Sequence, residues 1–387
     1  MTNKIIDCWQ EKKLKDISDI TSSKRIYEWE YVSSGIPFYR GKEITALKSK
    51  QKIDDFIYIS EARYNELKEK YGVPNKGDIL ITAVGTIGNA YTIENSKPFY
   101  FKDGNLLWVK NIKEHPKFLE YLFENNKKLF LGNSFGSSQH ALTISKLENL
   151  SFYFPPLDEQ KRIASTLSKI DAYLENTIKL IEEKERFKKG IAKKLLTCKK
   201  GENIPEARFK EFNDECDTVM LGNILSYEQP QNYIVKSEEY DNKNKYPVLT
   251  AGKTFILGYT NEEFGIYDKL PVIIFDDFTT DAKYVDFPFK VKSSAIKILK
   301  SKCYDTKLIY ELMKNIKFNA RTHKRYYLSE YQYLKIKIPK SIKEQEDISK
   351  FLSLLDAEID NLKKQEELIK EMKKGMINKL MSGEVRL

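Results

Sequence analysis

The chain has 387 residues, of which 41% are hydrophobic and 12% aromatic, so it can bury two or three cores and is not a disordered tail. Its net charge of +10 favours an anionic partner, foremost nucleic acid, although a Lys-rich soluble protein is the plain alternative. No apolar run reaches the ~18 residues of a membrane-spanning helix, and charges stand where a signal peptide is apolar. Four scattered cysteines without a C-x-x-C pair favour no disulfide or metal site, so we expect a cytoplasmic protein without a membrane partner.

Residues 1–154 predict a mixed α/β domain. A strand over residues 77–81, a Gly-rich turn over 84–88 and a return strand over 89–93 form a hairpin-like unit. Short helices are expected at Ser60–Tyr71 and His115–Leu131. After the polar loop at 136–140, a further strand is expected from Ile144 to Pro155.

A long helix is expected within residues 155–203, and its pattern recurs within residues 339–387. Glu159 to Thr197 aligns without gaps on Glu344 to Ser382, at a constant offset of 185 residues, the difference between 344 and 159. The identical pairs include Gln160 with Gln345, Asp171 with Asp356, and Lys188-Lys189-Gly190 with Lys373-Lys374-Gly375. This is an internal repeat.

Both helices carry apolar residues in alternating steps of four and three, which is typical of a coiled-coil seam. The predicted seam comprises Ile163, Leu167, Ile170, Leu174, Ile181 and Leu195 in the first helix and Ile348, Leu352, Leu355, Ile359, Leu362, Ile369 and Leu380 in the second. Polar seam positions at Thr177, Lys184, Lys188, Glu366 and Lys373 weaken the seam but can fix its register. Each helix would be ~58 Å long, longer than a small domain is wide. We therefore expect the two helices to pair antiparallel rather than to lie on their own domains.

Residues 204–338 predict a second mixed domain. A strand from Leu270 to Phe275, a polar turn over 276–281 and a return strand at Tyr284 repeat the arrangement of the first domain. A helix is expected at Asp305–Ile316, and a strand from Leu328 to Pro339. The predicted fold class is α+β: two mixed α/β domains separated by a long antiparallel two-helix coiled coil, with a pseudo-two-fold internal repeat.

Six polar and basic loops at strand ends are the candidate DNA-contacting segments. The first domain contributes Arg40, Lys42, Thr82, Thr86, Ser137, Ser138, Gln139 and His140. The second contributes Thr250, Lys253, Thr279, Thr280, Lys283, Arg321, His323, Lys324 and Arg325, with Tyr326 and Tyr327 beside them. Basic members suit phosphates, while Gln139, Thr280 and Arg321 are candidate base readers. A solvated surface loop is the alternative for each.

Catalytic motifs are incomplete in this chain. Gly252-Lys253-Thr254 resembles the end of a phosphate-binding loop, but Pro247 stands where that motif needs glycine. Phe154-Pro155-Pro156-Leu157 has the two prolines of a DNA methyltransferase motif but lacks the residues that flank them in that motif. Glu-x-Lys patterns, which resemble part of a nuclease motif, are frequent by chance in so charged a chain. We therefore expect no catalytic residue and no bound metal, and a recognition component whose partners perform the chemistry.

The proline-to-helix junction, present twice, resembles the specificity subunit of type I restriction-modification enzymes. The first copy runs from Pro155-Pro156-Leu157-Asp158-Glu159-Gln160-Lys161-Arg162-Ile163-Ala164 to Lys193-Lys194-Leu195-Leu196, and the second, weaker copy from Ile338-Pro339 through Gln345 to Met381. The resemblance covers the whole chain and its domain–helix–domain–helix order. The second copy departs from the pattern at residues 340–343, where the proline-leucine-acid step is looser.

The resemblance implies two target-recognition domains that each read one half of a split sequence in double-stranded DNA. It also implies that the helices set the spacing and dock two modification (methyltransferase) subunits, to which restriction (helicase-nuclease) subunits are added. S-adenosylmethionine, ATP and Mg²⁺ would be used by those partners, and none would be bound directly by this chain. Two other functions fit the residues: a coiled-coil scaffold or adaptor without DNA specificity, and a self-contained DNA methyltransferase or nuclease.

Overall fold

The computed structural model describes residues 8–51, 53, 55–131, 141–237, 239–250, 254–320 and 324–387. Among the helices of these residues, none combines the length and the apolar character needed to cross a membrane.

The N-terminal part alternates short strands and helices up to the first long helix. The strands are β1 (Gln10–Lys13), β2 (Asp19–Thr21), β3 (Tyr31–Val32), β4 (Ile36–Tyr39), β5 (Ile57–Ile59), β6 (Ile79–Thr82), β7 (Ala90–Thr92), β8 (Tyr100–Phe101), β9 (Leu106–Lys110) and β10 (Ser151–Phe154). The helices are α1 (Leu14–Ile17), α2 (Gly41–Lys48), α3 (Glu61–Tyr71), α4 (Pro116–Asn125), α5 (Lys127–Leu131), α6 (Ile144–Glu148) and α7 (Leu157–Leu196). The strand predicted from Ile144 is wrong over its first half, because the Thr143 hydroxyl accepts a hydrogen bond from Lys146 N at 3.2 Å and caps a helix there.

The C-terminal part repeats this order with fewer helices. Its strands are β11 (Asp217–Met220), β12 (Leu225–Glu228), β13 (Tyr246–Leu249), β14 (Ile256–Thr260), β15 (Val272–Asp276), β16 (Ala282–Val285), β17 (Lys290–Val291), β18 (Ile296–Ser301) and β19 (Lys335–Ile338), and its helices are α8 (Leu221–Ile224), α9 (Thr306–Lys314) and α10 (Ile342–Met381). The strand predicted from Leu328 is also wrong over its first half. Turns and a 3-10 segment at Tyr331–Tyr333 precede β19, and Leu221 N donates to Leu334 O at 3.0 Å just before that strand.

The chain divides into two compact units with related sheets. Unit 1 comprises Met1–Lys179 and Lys364–Leu387, and unit 2 comprises Leu180–Lys363. Unit 1 contains an antiparallel sheet of order β2-β9-β6-β7 and a mixed sheet of order β3-β5-β4-β8, in which β4 and β8 are parallel. Unit 2 contains β12-β18-β15-β16 and β14-β13-β17, in which β13 and β17 are parallel. The predicted pair of mixed α/β domains is confirmed.

Apolar runs explain the central strands of both units. All residues of β6 and β15 are buried, as expected for a strand covered on both faces. In each unit, a helix that starts at a side-chain cap packs beside the sheet that contains this buried strand. The His115 imidazole accepts from Phe118 N at 3.3 Å before α4, and the Asp305 carboxylate accepts from Leu308 N at 2.7 Å before α9.

A buried glutamine attaches each long helix to the domain that precedes it. Gln160 Oε1 accepts from His115 N at 3.0 Å, and its Nε2 donates to Pro155 O at 2.9 Å. Gln345 repeats both bonds, with Asp305 N at 3.0 Å and Pro339 O at 2.7 Å. Because a buried amide must satisfy its donors and its acceptor, these bonds fix where each long helix begins.

Within each unit, the beginning of one long helix packs with the end of the other. Ile163 and Leu380 belong to one core in unit 1, and Leu195 and Ile348 belong to one core in unit 2. The two helices are therefore antiparallel. Ten of the thirteen predicted seam residues are buried, and the remaining three, Ile170, Leu174 and Leu362, are half-buried.

Two ion pairs obey the offset of the sequence repeat. In unit 1, Lys373 Nζ lies 2.8 Å from Asp171 Oδ1, and in unit 2, Lys188 Nζ contacts Asp356 Oδ1. Each copy of the repeat thus supplies the acid of one pair and the lysine of the other. Lys373 also lies 3.2 Å from Glu124 of α4. Burial raises the pKa of Glu124, but the positive charges of Lys48 and Lys373 prevail and lower it to about 2.

We predict that Lys373 and Asp171 are energetically coupled. Lys373→Ala, Asp171→Ala and the double variant should give a coupling on the order of 1 kcal/mol or more in the free energy of unfolding, because the Lys373 side chain is only 17% exposed. Chemical denaturation measures it. The control is the Lys370–Glu367 pair on the same helix, whose side chains are 45% and 70% exposed, with an expected coupling below about 0.5 kcal/mol. Equal coupling in the two pairs would contradict the register role of Lys373.

Candidate nucleic-acid interface

The first predicted loop of each domain begins at the same place in the two frameworks. Tyr39, the last residue of β4, accepts a hydrogen bond through its carbonyl from Lys102 N at 2.9 Å. Leu249, the last residue of β13, accepts one from Lys292 N at 2.9 Å. Arg40 and Thr250 are thus equivalent positions, each the first residue beyond a strand that pairs with a parallel neighbour.

The second predicted loop of each domain also follows equivalent strands. Thr82 ends β6 and Asp276 ends β15, and the main-chain N–H groups of these residues donate across their turns to Asn89 O at 3.0 Å and Asp281 O at 2.8 Å. Each turn is thus closed by the same main-chain contact. The turns differ in length by two residues and share no side-chain pattern.

The residue after each of these strands joins the second loop to the third. Ala83 N donates to Asn105 O at 2.8 Å, and Ala83 O accepts from Leu142 N at 2.9 Å. Asp277 N donates to Ala295 O at 3.0 Å, and Asp277 O accepts from Tyr326 N at 2.8 Å. We call these paired contacts the strand-end framework. It brings the turn and the segment from residue 142 together in unit 1, and the turn and the segment from residue 326 together in unit 2.

In unit 1 the predicted residues have different surroundings. Arg40 Nη2 lies 2.8 Å from Glu43 Oε1, and this contact raises the pKa of the Arg40 guanidinium. Lys42 is largely exposed and lies 3.6 Å from the same oxygen. Thr82 is buried: its hydroxyl donates to Thr86 O and accepts from Asn89 N at 2.9 Å. Thr82 therefore shapes the turn, while the side chain of Thr86 is exposed.

In unit 2 the predicted residues also have different surroundings. Thr279 is exposed, and Thr280 is half-buried with φ of +61°, a conformation that a β-branched residue rarely adopts and that occurs at functional sites. The Thr250 hydroxyl donates to Thr254 O at 2.6 Å. Lys283 Nζ lies 3.2 Å from Asp281 Oδ2.

The described part of the last predicted loop combines exposed cations with buried rings. Lys324 contacts Glu330, and the Arg325 guanidinium lies 6.0 Å from the centre of the Phe278 ring. Such exposed ion pairs are weak, so a phosphate can replace the carboxylate. Tyr326 and Tyr327 are buried at 2% and 1% exposure. The rings of these two tyrosines, which follow the candidate cations in the sequence, pack in the core.

Several predicted residues lie outside the described residues. They are Ser137, Ser138, Gln139, His140, Lys253, Arg321 and His323. They remain sequence predictions.

The sequence places Asp277 in the polar turn over residues 276–281, but its burial and its buried partner Lys297 were missed. Asp277 accepts from Tyr327 N at 2.8 Å through its carboxylate, and Lys297 Nζ lies 3.6 Å from that carboxylate. Burial lowers the pKa of Lys297, and Asp277 opposes this effect. A lysine inside the apolar run Ile296-Lys297-Ile298-Leu299 was the available signal, since a buried strand lysine needs a partner.

The family comparison matches both halves of the chain. The family model described as the type I restriction modification DNA specificity domain matches residues 6–183 and 213–371. Each matched segment contains one strand-end framework. The chain belongs to this family.

Individual relatives agree with this assignment to the specificity family. A type I restriction enzyme specificity subunit of Escherichia coli is 47% identical over 172 residues, which cover 39% of this chain and 42% of that protein. This chain thus spans less than half the length of that relative. A type I restriction enzyme specificity subunit of Methanocaldococcus jannaschii is 26% identical over 442 residues, covering 99% of this chain and 98% of its own length.

Solved structures from type I restriction-modification systems share the fold. The crystal structure of the S subunit of a type I restriction-modification system from M. genitalium aligns with a TM-score of 0.66 at 18% identity, covering 98% of this chain and 99% of that one. A chain from a structure of type I restriction-modification complex assembly aligns with a TM-score of 0.55 at 14% identity, covering 99% and 100%.

We predict that the turn of unit 1 requires glycine at position 88. A Cβ added at Gly88, where φ is +82°, would lie 2.5 Å from Phe130 Cδ2. Gly88→Ala should therefore lower the free energy of unfolding by about 2–4 kcal/mol, from overpacking and backbone strain together. Gly85→Ala is the control: φ is +76°, nothing lies within 4 Å, and the expected loss is about 1 kcal/mol from the backbone alone. Equal losses in chemical denaturation would contradict this packing.

Proposed function

We propose that this chain is the non-catalytic DNA sequence-recognition subunit of a type I restriction-modification complex. The observation that carries the proposal is the strand-end framework, which occurs in both units with different side chains around it. A shared main-chain framework with divergent side chains is what two readers of two different base sequences require, since sequence is read by side chains at base edges.

The target would be bipartite, with one half read by each unit. Supporting this, the DNA specificity model matches twice, once on each framework. The exposed or half-buried residues Lys42, Thr86, Thr279, Thr280 and Arg325 would make the contacts, together with the sequence-predicted residues outside the described part. The net charge of +10 favours binding to the DNA backbone.

The long helices would dock the two modification subunits. Leu368 and Met372 are 64% and 50% exposed, four residues apart on one face of α10. Leu180 and Phe187 are 40% and 54% exposed, seven residues apart on α7. Apolar side chains that repeat along an exposed helix face fit the helices of a partner protein. Methylation and cleavage would then belong to modification and restriction subunits, which use S-adenosylmethionine, ATP and Mg²⁺.

We predict that an assembly of this chain with its modification subunits binds one split DNA sequence with steep salt dependence. Lys42→Ala in unit 1 and Arg325→Ala in unit 2 should each reduce the slope of log K against log salt by about 1, because each removes one phosphate contact. Lys335→Ala removes an exposed lysine of β19 and should leave the slope unchanged. Titrations at several salt concentrations measure the slopes.

Two results would favour the other functions. Binding by the assembly without any sequence preference would support a scaffold without DNA specificity. Turnover by the purified chain alone, with DNA and either S-adenosylmethionine or Mg²⁺, would support a self-contained enzyme and contradict the non-catalytic role.

A further inference from the structure

Asp277 is a carboxylate buried inside the strand-end framework of unit 2. Its side chain is 1% exposed. Its main-chain N–H donates to Ala295 O, and its main-chain carbonyl accepts from Tyr326 N. Its side-chain Oδ1 accepts from Tyr327 N at 2.8 Å. Asp277, in the β15–β16 turn, therefore accepts hydrogen bonds from the consecutive N–H groups of Tyr326 and Tyr327.

Lys297 supplies the counter-charge from the neighbouring strand β18. Its side chain is 2% exposed, its Nζ lies 3.6 Å from Asp277 Oδ2, and it donates to Gln229 Oε1 at 2.8 Å. Because a buried charge without a partner is strongly destabilising, the pair ties the turn to β18 and to the segment after β12.

Unit 1 builds the same framework without this carboxylate. Ala83 occupies the equivalent position and makes the equivalent main-chain hydrogen bonds, to Asn105 and Leu142. Its methyl side chain cannot accept a hydrogen bond from the N–H of the residue after Leu142. The fold therefore does not require an acid at this position. The carboxylate is an addition particular to unit 2.

The two segments that Asp277 connects each continue into an exposed candidate residue. The turn continues through Phe278 to Thr279, and the segment held at Tyr326 and Tyr327 is preceded by Arg325, whose guanidinium faces the Phe278 ring at 6.0 Å. A shift between turn and segment would separate Arg325 from the Phe278 ring. Base readout is sensitive to such shifts because contacts must be held within about half an ångström.

We infer that Asp277, charge-balanced by Lys297, is a positioning residue that sets the specificity of unit 2 by holding its two recognition segments in register. This inference rests on the proposed function. It assigns Asp277 no contact with DNA, and it restricts the effect to the half-site that unit 2 reads.

The test uses the assembly with modification subunits, on duplexes carrying single base changes in either half of the methylated target. Asp277→Ala combined with Lys297→Met removes the Tyr327 contact without leaving a buried cation unpaired. Asp277→Asn combined with Lys297→Met keeps an acceptor for Tyr327 N. Lys300→Met removes an exposed lysine from the same strand and is the control.

The alanine double variant should lose about tenfold or more of its discrimination in one half of the target and keep it in the other. The asparagine double variant should stay within about threefold of the unaltered protein, and the control should not change. Circular dichroism should show all three variants folded.

Four outcomes would overturn the inference: unchanged discrimination by the alanine double variant, equal loss in both halves of the target, equal loss in both double variants, or failure of the alanine double variant to fold. An unaltered assembly without sequence preference would instead refute the proposed function itself. Specific binding that the variants leave unchanged refutes only the role of Asp277.

Discussion

The reciprocal ion pairs of the two long helices set the register on which both units depend. Lys373 meets Asp171 in unit 1 and Lys188 meets Asp356 in unit 2, each at the same place in the repeat. A seam of leucine and isoleucine tolerates sliding by a heptad, whereas a largely buried lysine stabilises only the register that gives it a carboxylate. Because the helix ends also complete the core of each unit, a slip would expose apolar surface in both.

Gln160 and Gln345 carry that register into the domains. Each side-chain amide is hydrogen-bonded to the proline that follows β10 or β19 and to the N-cap residue of α4 or α9. The sheet of each unit is therefore positioned by the long helix. The two copies of the repeat share identical residues in the long helices, including these two glutamines, but not in the turns after β6 and β15. Main-chain hydrogen bonds preserve the framework there, which leaves side chains such as Ala83 and Asp277 free to differ. Under the proposed function, that division lets the two units read different sequences on a common scaffold.

Local patterns predicted the parts of the fold that depend on local chemistry. The 4-3 spacing gave the long helices and their seam, and apolar runs with polar turns gave β6 and β15. Ile144 to Leu150 is apolar enough for a strand, and the cap at Thr143 decided for helix instead. At the candidate nucleic-acid interface, the residue types identified the polar loops, but they did not show which groups within the protein each side chain contacts. Thr82 is consumed by its own turn, Tyr326 and Tyr327 face the core, and the Asp277–Lys297 pair joins residues twenty positions apart through the sheet, which no local pattern contains.

The central claim is that one chain carries two different readers. Sequencing the methylated adenines of cells that carry this gene together with its modification subunit genes tests it most directly. The account predicts a single new motif made of two short, different sequence blocks separated by a fixed number of unspecified base pairs. A continuous motif, or no new methylated sequence at all, would contradict it.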